Sequence, residues 1–133
     1  ELNMAMTEHV GHRLLRALND DGKAIRGSRI LLLGAAYKRN IDDTRESPAG
    51  RLFELLEVKG ARISYHDPFV AEYHGHKSTQ LTAEALRECD AVLVVTDHDD
   101  VDYALVGEHA PLVVDTRNVM AALGDVKARV VRA

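Results

Sequence analysis

The sequence predicts an α/β protein with a doubly wound parallel sheet preceded by a long helix. Three observations lead to this fold class. Short apolar runs, typical of buried parallel strands, alternate with amphipathic helical segments. They recur at intervals of about 20–30 residues, which fits one strand and one crossover helix per unit. A separate amphipathic helix precedes the first run, and the chain after it contains no internal repeat or linker.

The first predicted helix spans residues 2–20. Its apolar stripe recurs at a helical spacing, at Leu2, Met6, Val10, Leu14 and Leu18. A helix of this length lies outside the basic strand–helix–strand unit, so it either packs across the sheet or meets another subunit. The stretch 22–27 contains two glycines and is the one candidate domain boundary, dividing the chain into 1–26 and 27–133.

The remaining elements follow from apolar runs and from capping residues. Ser47 and Pro48 favour a helix start, and Pro68 ends a strand because proline cannot continue a ladder. Strands are predicted at 29–34, 62–65, 91–95, 112–114 and 128–131, and helices at 47–59, 82–88 and 101–106. The polar, histidine-rich stretch 69–80 is expected to be a surface loop.

Composition excludes several classes of function. The net charge of -4, without a basic stripe, argues against nucleic-acid binding. No apolar stretch approaches the roughly 18 residues of a membrane span. The single cysteine, Cys89, cannot form an internal disulfide, so we expect a cytoplasmic protein. The chain begins at Glu1 inside a helical pattern, which suggests a fragment of a longer protein.

The loop after the first predicted strand is the leading candidate site, because ligands of open α/β sheets bind beyond the carboxyl ends of strands. A Rossmann dinucleotide site would have G-x-G-x-x-G here, but the chain reads GAAYKRN. The fold is therefore expected to be Rossmann-like without autonomous NAD binding. Lys38 and Arg39 either bind an anion or form a solvated basic loop paired with Asp42, Asp43 and Glu46.

Two aspartates end later strands. Asp67 lies where such folds place a ribose-binding acid, but the following Pro68 favours a strand-end turn. Asp115 ends the fourth strand, and Arg117 follows at the same edge of the sheet. Arg117 either meets the same ligand as Lys38 or pairs with Asp115 or a neighbouring acid, and the pattern leaves both possibilities open.

Other reactive residues give no catalytic or metal site. His66, His74, His76 and Asp67 have ligand-type side chains, but no supporting pattern accompanies them, so no metal is expected. Cys89 precedes a buried strand and has no nearby base, which favours a structural thiol.

Four segments carry a resemblance to a known family. GAAYKRNIDDTRESP, SYHDPFV, AVLVVTDHDDVDY and VVDTRN resemble, in this order, the C-terminal UDP-binding domain of the UDP-glucose/GDP-mannose dehydrogenases. The residues of the first segment resemble those of the bacterial UDP-N-acetylhexosamine dehydrogenases of this family. The first helix resembles the end of the helix that joins the two domains of these enzymes and forms their dimer.

The resemblance implies a cytoplasmic enzyme of polysaccharide biosynthesis that oxidises the sugar C6 hydroxyl of a UDP-sugar to a carboxylate, with NAD bound by an N-terminal domain absent from this chain. The catalytic cysteine would also precede the chain, so no catalytic residue is expected here, and the fragment alone should be inactive. Tyr37 and Lys38 would lie against the nucleotide, and Arg117 would reach the phosphate or the sugar. Arg45 and Glu46 would be structural.

The resemblance assigns no role to the segment Thr96–His98. Two alternatives to a substrate-binding domain remain at this point. The chain could be an assembly module that dimerises through residues 2–20, or a stand-alone CoA- or NAD-binding domain, which the missing glycines disfavour.

Overall fold

The computed structural model describes residues 4–36, 39–44 and 47–133. In chain order the elements are α1 (Met4–Asp20), β1 (Arg29–Leu33), α2 (Pro48–Val58), β2 (Arg62–His66), β3 (Glu72–Tyr73), β4 (His76–Lys77), α3 (Ala83–Glu88), β5 (Ala91–Val94), α4 (Tyr103–His109), β6 (Leu112–Asp115), a 3-10 helix (Met120–Leu123) and β7 (Arg129–Arg132). The predicted α/β class is confirmed. None of the described helices is long and apolar enough to cross a membrane.

Five strands form one sheet in the order β2-β1-β5-β6-β7, and every neighbouring pair is parallel. The carboxyl ends of these strands therefore all lie at one edge of the sheet. We call the residues that follow β1, β2, β5 and β6 at this edge the carboxyl rim. The chain leaves β1 for β2 on one side and returns to β5 on the other, so the topological switch point lies between β1 and β5.

Side chains of β1 alternate between two hydrophobic layers. Ile30 and Leu32 face α1 and α2, whereas Leu31 and Leu33 face α3 and α4. The sheet is thus covered on both faces, as the doubly wound prediction requires. Val10, Leu14 and Leu18 of the predicted α1 stripe lie in the first layer, so α1 packs across the sheet. Met6, at the start of the helix, is 43% exposed, and Leu2 lies outside the described residues.

The structure differs from the predictions at three places. Residues 72–77 form a β-hairpin rather than loop, because His74 and Gly75 both take positive φ (50° and 76°), which a two-residue hairpin turn requires. The helix predicted at 101–106 is α4, which begins later because the Asp102 side chain accepts from the Leu105 N–H. The 3-10 helix is not predicted at all.

Candidate functional site

Gly34 and Thr96 meet at the switch point. Gly34 has a φ of 101°, and a Cβ built on it would lie 2.5 Å from the Thr96 Cβ and 2.7 Å from the Thr96 backbone nitrogen. Only glycine allows this approach. The Thr96 hydroxyl then donates to the Ala36 carbonyl oxygen at 2.9 Å. The chain leaving β1 is therefore packed directly against the end of β5.

The Asp67 carboxylate holds the same stretch from the other neighbouring strand. Its Oδ2 accepts from the backbone N–H groups of Ala35 (2.7 Å) and Ala36 (3.1 Å), and its Oδ1 accepts from the Phe69 N–H at 2.7 Å. The contact with Phe69 confirms the predicted strand-end turn. In a dinucleotide-binding loop, such N–H groups after the first strand face a pyrophosphate. Here a carboxylate of the protein takes two of them.

His98 joins Asp67 to the next part of the loop. The His98 Nε2–H donates to Asp67 Oδ2 at 2.8 Å, and His98 Nδ1 accepts from the Asn40 backbone N–H at 2.7 Å. Because a backbone N–H can only donate, Nδ1 carries no proton, and the ring is the neutral Nε2–H tautomer. Both side chains, His98 and Asp67, are completely buried.

The buried carboxylate of Asp67 stays ionised. Burial alone would raise its pKa, but hydrogen bonds from His98 and from the backbone N–H groups of Ala35 and Phe69 outweigh burial and lower the pKa below its ordinary value. We call Ala35, Ala36, Asn40, Asp67 and His98 the buried network. It connects the ends of β1, β2 and β5.

A second set of contacts holds the loop from the solvent side. Asn40 and Asp99 bond reciprocally, with the Asn40 amide donating to Asp99 Oδ2 (2.8 Å) and the Asp99 N–H donating to Asn40 Oδ1 (2.9 Å). Arg39 pairs with the other Asp99 oxygen. Hydrogen bonds from Asn40 and Arg39 lower the pKa of Asp99. We call Arg39, Asn40 and Asp99 the exposed network.

Arg117 lies on the far side of the same rim. Its guanidinium is 3.3 Å from Asp97 Oδ1, and its side chain is 42% exposed. Among the described residues, this oxygen has no hydrogen-bond partner, so the contact is electrostatic. Asp115 is buried and accepts from the N–H groups of Arg117 and Met120, which fixes the turn after β6. Of the acids considered for Arg117, the neighbouring acid Asp97 is the partner, rather than Asp115.

Three consecutive residues after β5 therefore reach different parts of the carboxyl rim. Asp97 pairs with Arg117, His98 bonds Asp67 and Asn40, and Asp99 pairs with Arg39. Sequence reasoning assigned no role to this segment. The available signal was its place, because polar residues that directly follow a fully apolar parallel strand lie at the carboxyl rim.

The other predicted site residues are only partly described. Tyr37 and Lys38 lie outside the described residues, as do Arg45 and Glu46. The residues that flank the Tyr37–Lys38 pair, Ala36 and Arg39, both belong to the carboxyl rim. Arg39 has Asp99 as its partner, an acid that the sequence analysis did not name.

The remaining reactive residues have structural contacts. The His66 Nδ1–H donates to the Thr79 carbonyl at 2.7 Å, and His74 stacks on Phe53 with ring centroids 5.2 Å apart. No group of three or more potential ligands is arranged around a metal site within 4–36, 39–44 and 47–133. Burial raises the pKa of the Cys89 thiol to about 11, and the thiol donates to the Ala85 carbonyl. Such a thiol is a weak nucleophile.

Comparison with known proteins identifies the family. Residues 31–122 match the model of the UDP-glucose/GDP-mannose dehydrogenase family, UDP binding domain. The chain is 33% identical over 128 residues to UDP-N-acetyl-D-mannosamine dehydrogenase of Methanococcus maripaludis, covering 90% of this chain and 29% of that protein. It is 33% identical over 120 residues to UDP-glucose 6-dehydrogenase of Rhizobium meliloti, covering 83% of this chain and 27% of that protein.

A solved structure supports the fold. The UDP-D-ManNAc dehydrogenase from Pyrococcus horikoshii superimposes with a TM-score of 0.80 at 24% identity, over 98% of this chain and 31% of that one. The chain thus spans less than a third of the length of these relatives. The family model covers all four loops of the carboxyl rim. The chain therefore belongs to the UDP-glucose/GDP-mannose dehydrogenase family, as a copy of its UDP-binding domain.

Proposed function

We propose that this chain binds the UDP-sugar substrate of an NAD-dependent UDP-sugar 6-dehydrogenase. The observation that carries the proposal is the match of residues 31–122 to the family's UDP-binding domain. This range contains the whole carboxyl rim, the part of a parallel α/β sheet where ligands bind. The rim has basic side chains from two loops, Arg39 after β1 and Arg117 after β6.

The site residues follow from this proposal. Tyr37 and Lys38 contact the nucleotide, and Arg117 reaches its phosphate or the sugar. Arg117 suits this role because its guanidinium is partly exposed and, within the described part of the chain, its contact with Asp97 is electrostatic. A diphosphate offers a second anion to the same guanidinium, and charge-assisted hydrogen bonds to phosphate are stronger than neutral ones.

The whole enzyme would oxidise the sugar C6 hydroxyl to a carboxylate. NAD and the catalytic cysteine would belong to an N-terminal domain, so the chain alone would have no dehydrogenase activity. Residues 1–26 would be the end of the interdomain and dimerisation helix, and 27–133 the UDP-sugar-binding domain of a homodimer or higher homo-oligomer. The product, a nucleotide sugar acid, suits polysaccharide biosynthesis in the cytoplasm.

The residues of the loop after β1 support a narrower proposal for the class of sugar. Its AYK and DDTRESP segments favour an N-acetylhexosamine substrate. The names of the two relatives reported above refer to different sugars, and both relatives are 33% identical to this chain. Overall identity therefore does not distinguish between the two sugars.

Calorimetric titration of the chain with UDP, UDP-N-acetylglucosamine and NAD tests the proposal. We expect the two uridine ligands to bind and NAD not to bind, because the Ala35 and Ala36 N–H groups already have a carboxylate partner. Binding of NAD alone would contradict the proposal and indicate a dinucleotide module.

Substitutions then test the site residues. Lys38→Ala and Arg117→Ala should each weaken UDP binding by about 1–3 kcal/mol, the range for a lost hydrogen bond to a charged group. Arg62→Ala is the matched control, because Arg62 is an exposed arginine at the start of β2, the opposite edge of the sheet. Unchanged affinity in both site variants would remove Lys38 and Arg117 from the site.

A further inference from the structure

We propose that His98 is a positioning residue for uridine nucleotide binding, because it holds the loop after β1 on both sides of Tyr37 and Lys38. This inference rests on the proposed function of the carboxyl rim. It assigns a role to a completely buried residue that acts through its neighbours in the protein. His98 acts through Asp67 on one side and through Asn40 on the other.

The upstream side is held through Asp67. The His98 Nε2–H donates to the same Asp67 oxygen that accepts from the Ala35 and Ala36 N–H groups. Thr96 adds a bond to the Ala36 carbonyl, so both backbone polar groups of Ala36 have partners from other strands. The backbone immediately before Tyr37 is therefore fixed to the ends of β2 and β5.

The downstream side is held by the other ring nitrogen. His98 Nδ1 accepts from the Asn40 N–H at 2.7 Å, and Asn40 has a φ of 61°. Asparagine tolerates this left-handed backbone better than most residues. One imidazole thus bonds to both sides of the segment that carries Lys38, with one nitrogen donating and the other accepting.

The ring itself is held tightly. The Phe69 ring centroid lies 4.8 Å from that of His98, and the Tyr103 hydroxyl donates to the His98 carbonyl at 3.0 Å. His98 has no exposed surface. Because this packing restricts rotation of the ring, its two nitrogens hold their bonding partners in fixed positions.

The consequence for binding is a smaller ordering cost. A loop whose flanks are already placed loses less conformational freedom when a nucleotide binds, and this raises affinity without a new ligand contact. The exposed network contributes less to this placement, because Arg39 and Asp99 interact in solvent, where ion pairs contribute little. Affinity should therefore depend on the bond from Asn40 to His98 Nδ1.

Two amide substitutions separate the two ring nitrogens. Asparagine at position 98 places an acceptor near the Nδ1 position, whereas glutamine places a donor near the Nε2 position. His98→Asn should keep the Asn40 bond and lose the Asp67 bond, and His98→Gln should do the reverse. For each variant we would measure UDP affinity by calorimetry, unfolding by urea and hydrogen exchange of the Asn40 amide by NMR.

We expect one variant to lose mainly UDP affinity and the other to lose mainly stability. His98→Gln should weaken UDP binding about tenfold, the factor that one lost hydrogen bond represents, and should expose the Asn40 amide to exchange. His98→Asn should keep the amide protected and the UDP affinity within about threefold, while losing more stability, because a buried carboxylate loses a donor. Ile63→Val is the control for mild destabilisation away from the rim and should leave UDP affinity unchanged.

The outcomes separate this inference from the proposed function. Absence of UDP binding by the unaltered chain would overturn the proposed function and the inference with it. UDP binding by the unaltered chain with an unchanged affinity in His98→Gln would overturn only the role of His98. The role of His98 would also be overturned if the loss of UDP affinity paralleled the loss of stability in both variants. If His98→Gln does not fold, His98→Asn decides, because UDP affinity and Asn40 protection must both survive in it.

Discussion

His98 and Asp99 are neighbours in the chain and contact the same two-residue segment, Arg39–Asn40, yet they do so in opposite surroundings. His98 is completely buried and bonds the Asn40 backbone, whereas Asp99 is exposed and bonds the side chains of Arg39 and Asn40. In the buried network, donors and acceptors pair away from solvent. The bonds of the exposed network compete with water, and salt weakens its ion pair. The comparison indicates that placement of the loop depends on the side that solvent does not reach.

The largest expected effect comes from removing the centre of the buried network. Asp67→Ala leaves the N–H groups of Ala35, Ala36 and Phe69 and the His98 Nε2–H without their acceptor. We expect the free energy of unfolding to fall by about 3–5 kcal/mol, because several donors away from solvent lose their acceptor at roughly 1–3 kcal/mol each and part of the cost relaxes. Urea unfolding measures this change. A loss no larger than that of Asp99→Ala would contradict the distinction between the two networks.

The next effect comes from the packing beneath the buried network. Gly34→Ala places a Cβ 2.5 Å from the Thr96 side chain at a φ of 101°. Backbone strain and overpacking together should cost roughly 2–4 kcal/mol. Gly22→Ala is the control, because Gly22 also has a positive φ (74°) but no heavy atom lies within 4 Å of its built Cβ. If both variants lose the same stability, the Thr96 contact adds nothing to the backbone strain.

Low pH should weaken the buried network, and this effect should remain at high salt. The pKa of Asp67 is lower in the folded chain than its ordinary value, so the ionised carboxylate stabilises the fold above the ordinary pKa of 3.8. This contribution is lost as pH falls through the lowered pKa. Asp90 and Glu108 also have lowered pKa values, so the test compares the unaltered chain with Asp67→Asn in urea unfolding at high salt, from about pH 6 to about pH 2. Stability should fall less steeply with acid in Asp67→Asn, and an equal acid dependence of the two chains would contradict this expectation.

The smallest effect belongs to the exposed network. Asp99→Ala removes the carboxylate that accepts from Arg39 and from the Asn40 side-chain amide, but both bonds lie in solvent and the backbone N–H of residue 99 can still donate to Asn40. We expect a loss of stability smaller than in either buried variant, measurable by urea unfolding at low salt and reduced at high salt, because the exposed Arg39–Asp99 ion pair is screened. A loss as large as that of Asp67→Ala would show that the two networks act as one.

Much of the fold was predictable because local pattern and tertiary structure agree. The apolar run Ala91–Val94 is buried on both faces as β5, and Ser47 caps α2 as its residue type predicts. The hairpin 72–77 was not predictable from the usual turn signals, since its His74–Gly75 turn is not one of the common asparagine or aspartate pairs.

The site was less predictable than the fold, for a physical reason. Asp67 could be assigned to a turn, since the contact with Phe69 is local. Its bonds to Ala35 and His98 join residues about 30 positions apart, and only the folded sheet brings these together. Sequence pattern reports spacing along one element, so it shows neither that Asp97 partners Arg117 nor that His98 is buried.

The carboxylate of Asp67 also limits how the loop after β1 can be redesigned. Introducing the missing glycines to obtain a dinucleotide-binding loop would leave an ionised carboxylate bonded to the N–H groups of residues 35 and 36. An incoming pyrophosphate would meet a negative charge instead of free donors. A protein engineer would therefore have to replace Asp67 first, and would have to supply new partners for His98. The fit of this loop to a pyrophosphate thus depends on a residue that directly follows β2 as well as on the loop sequence.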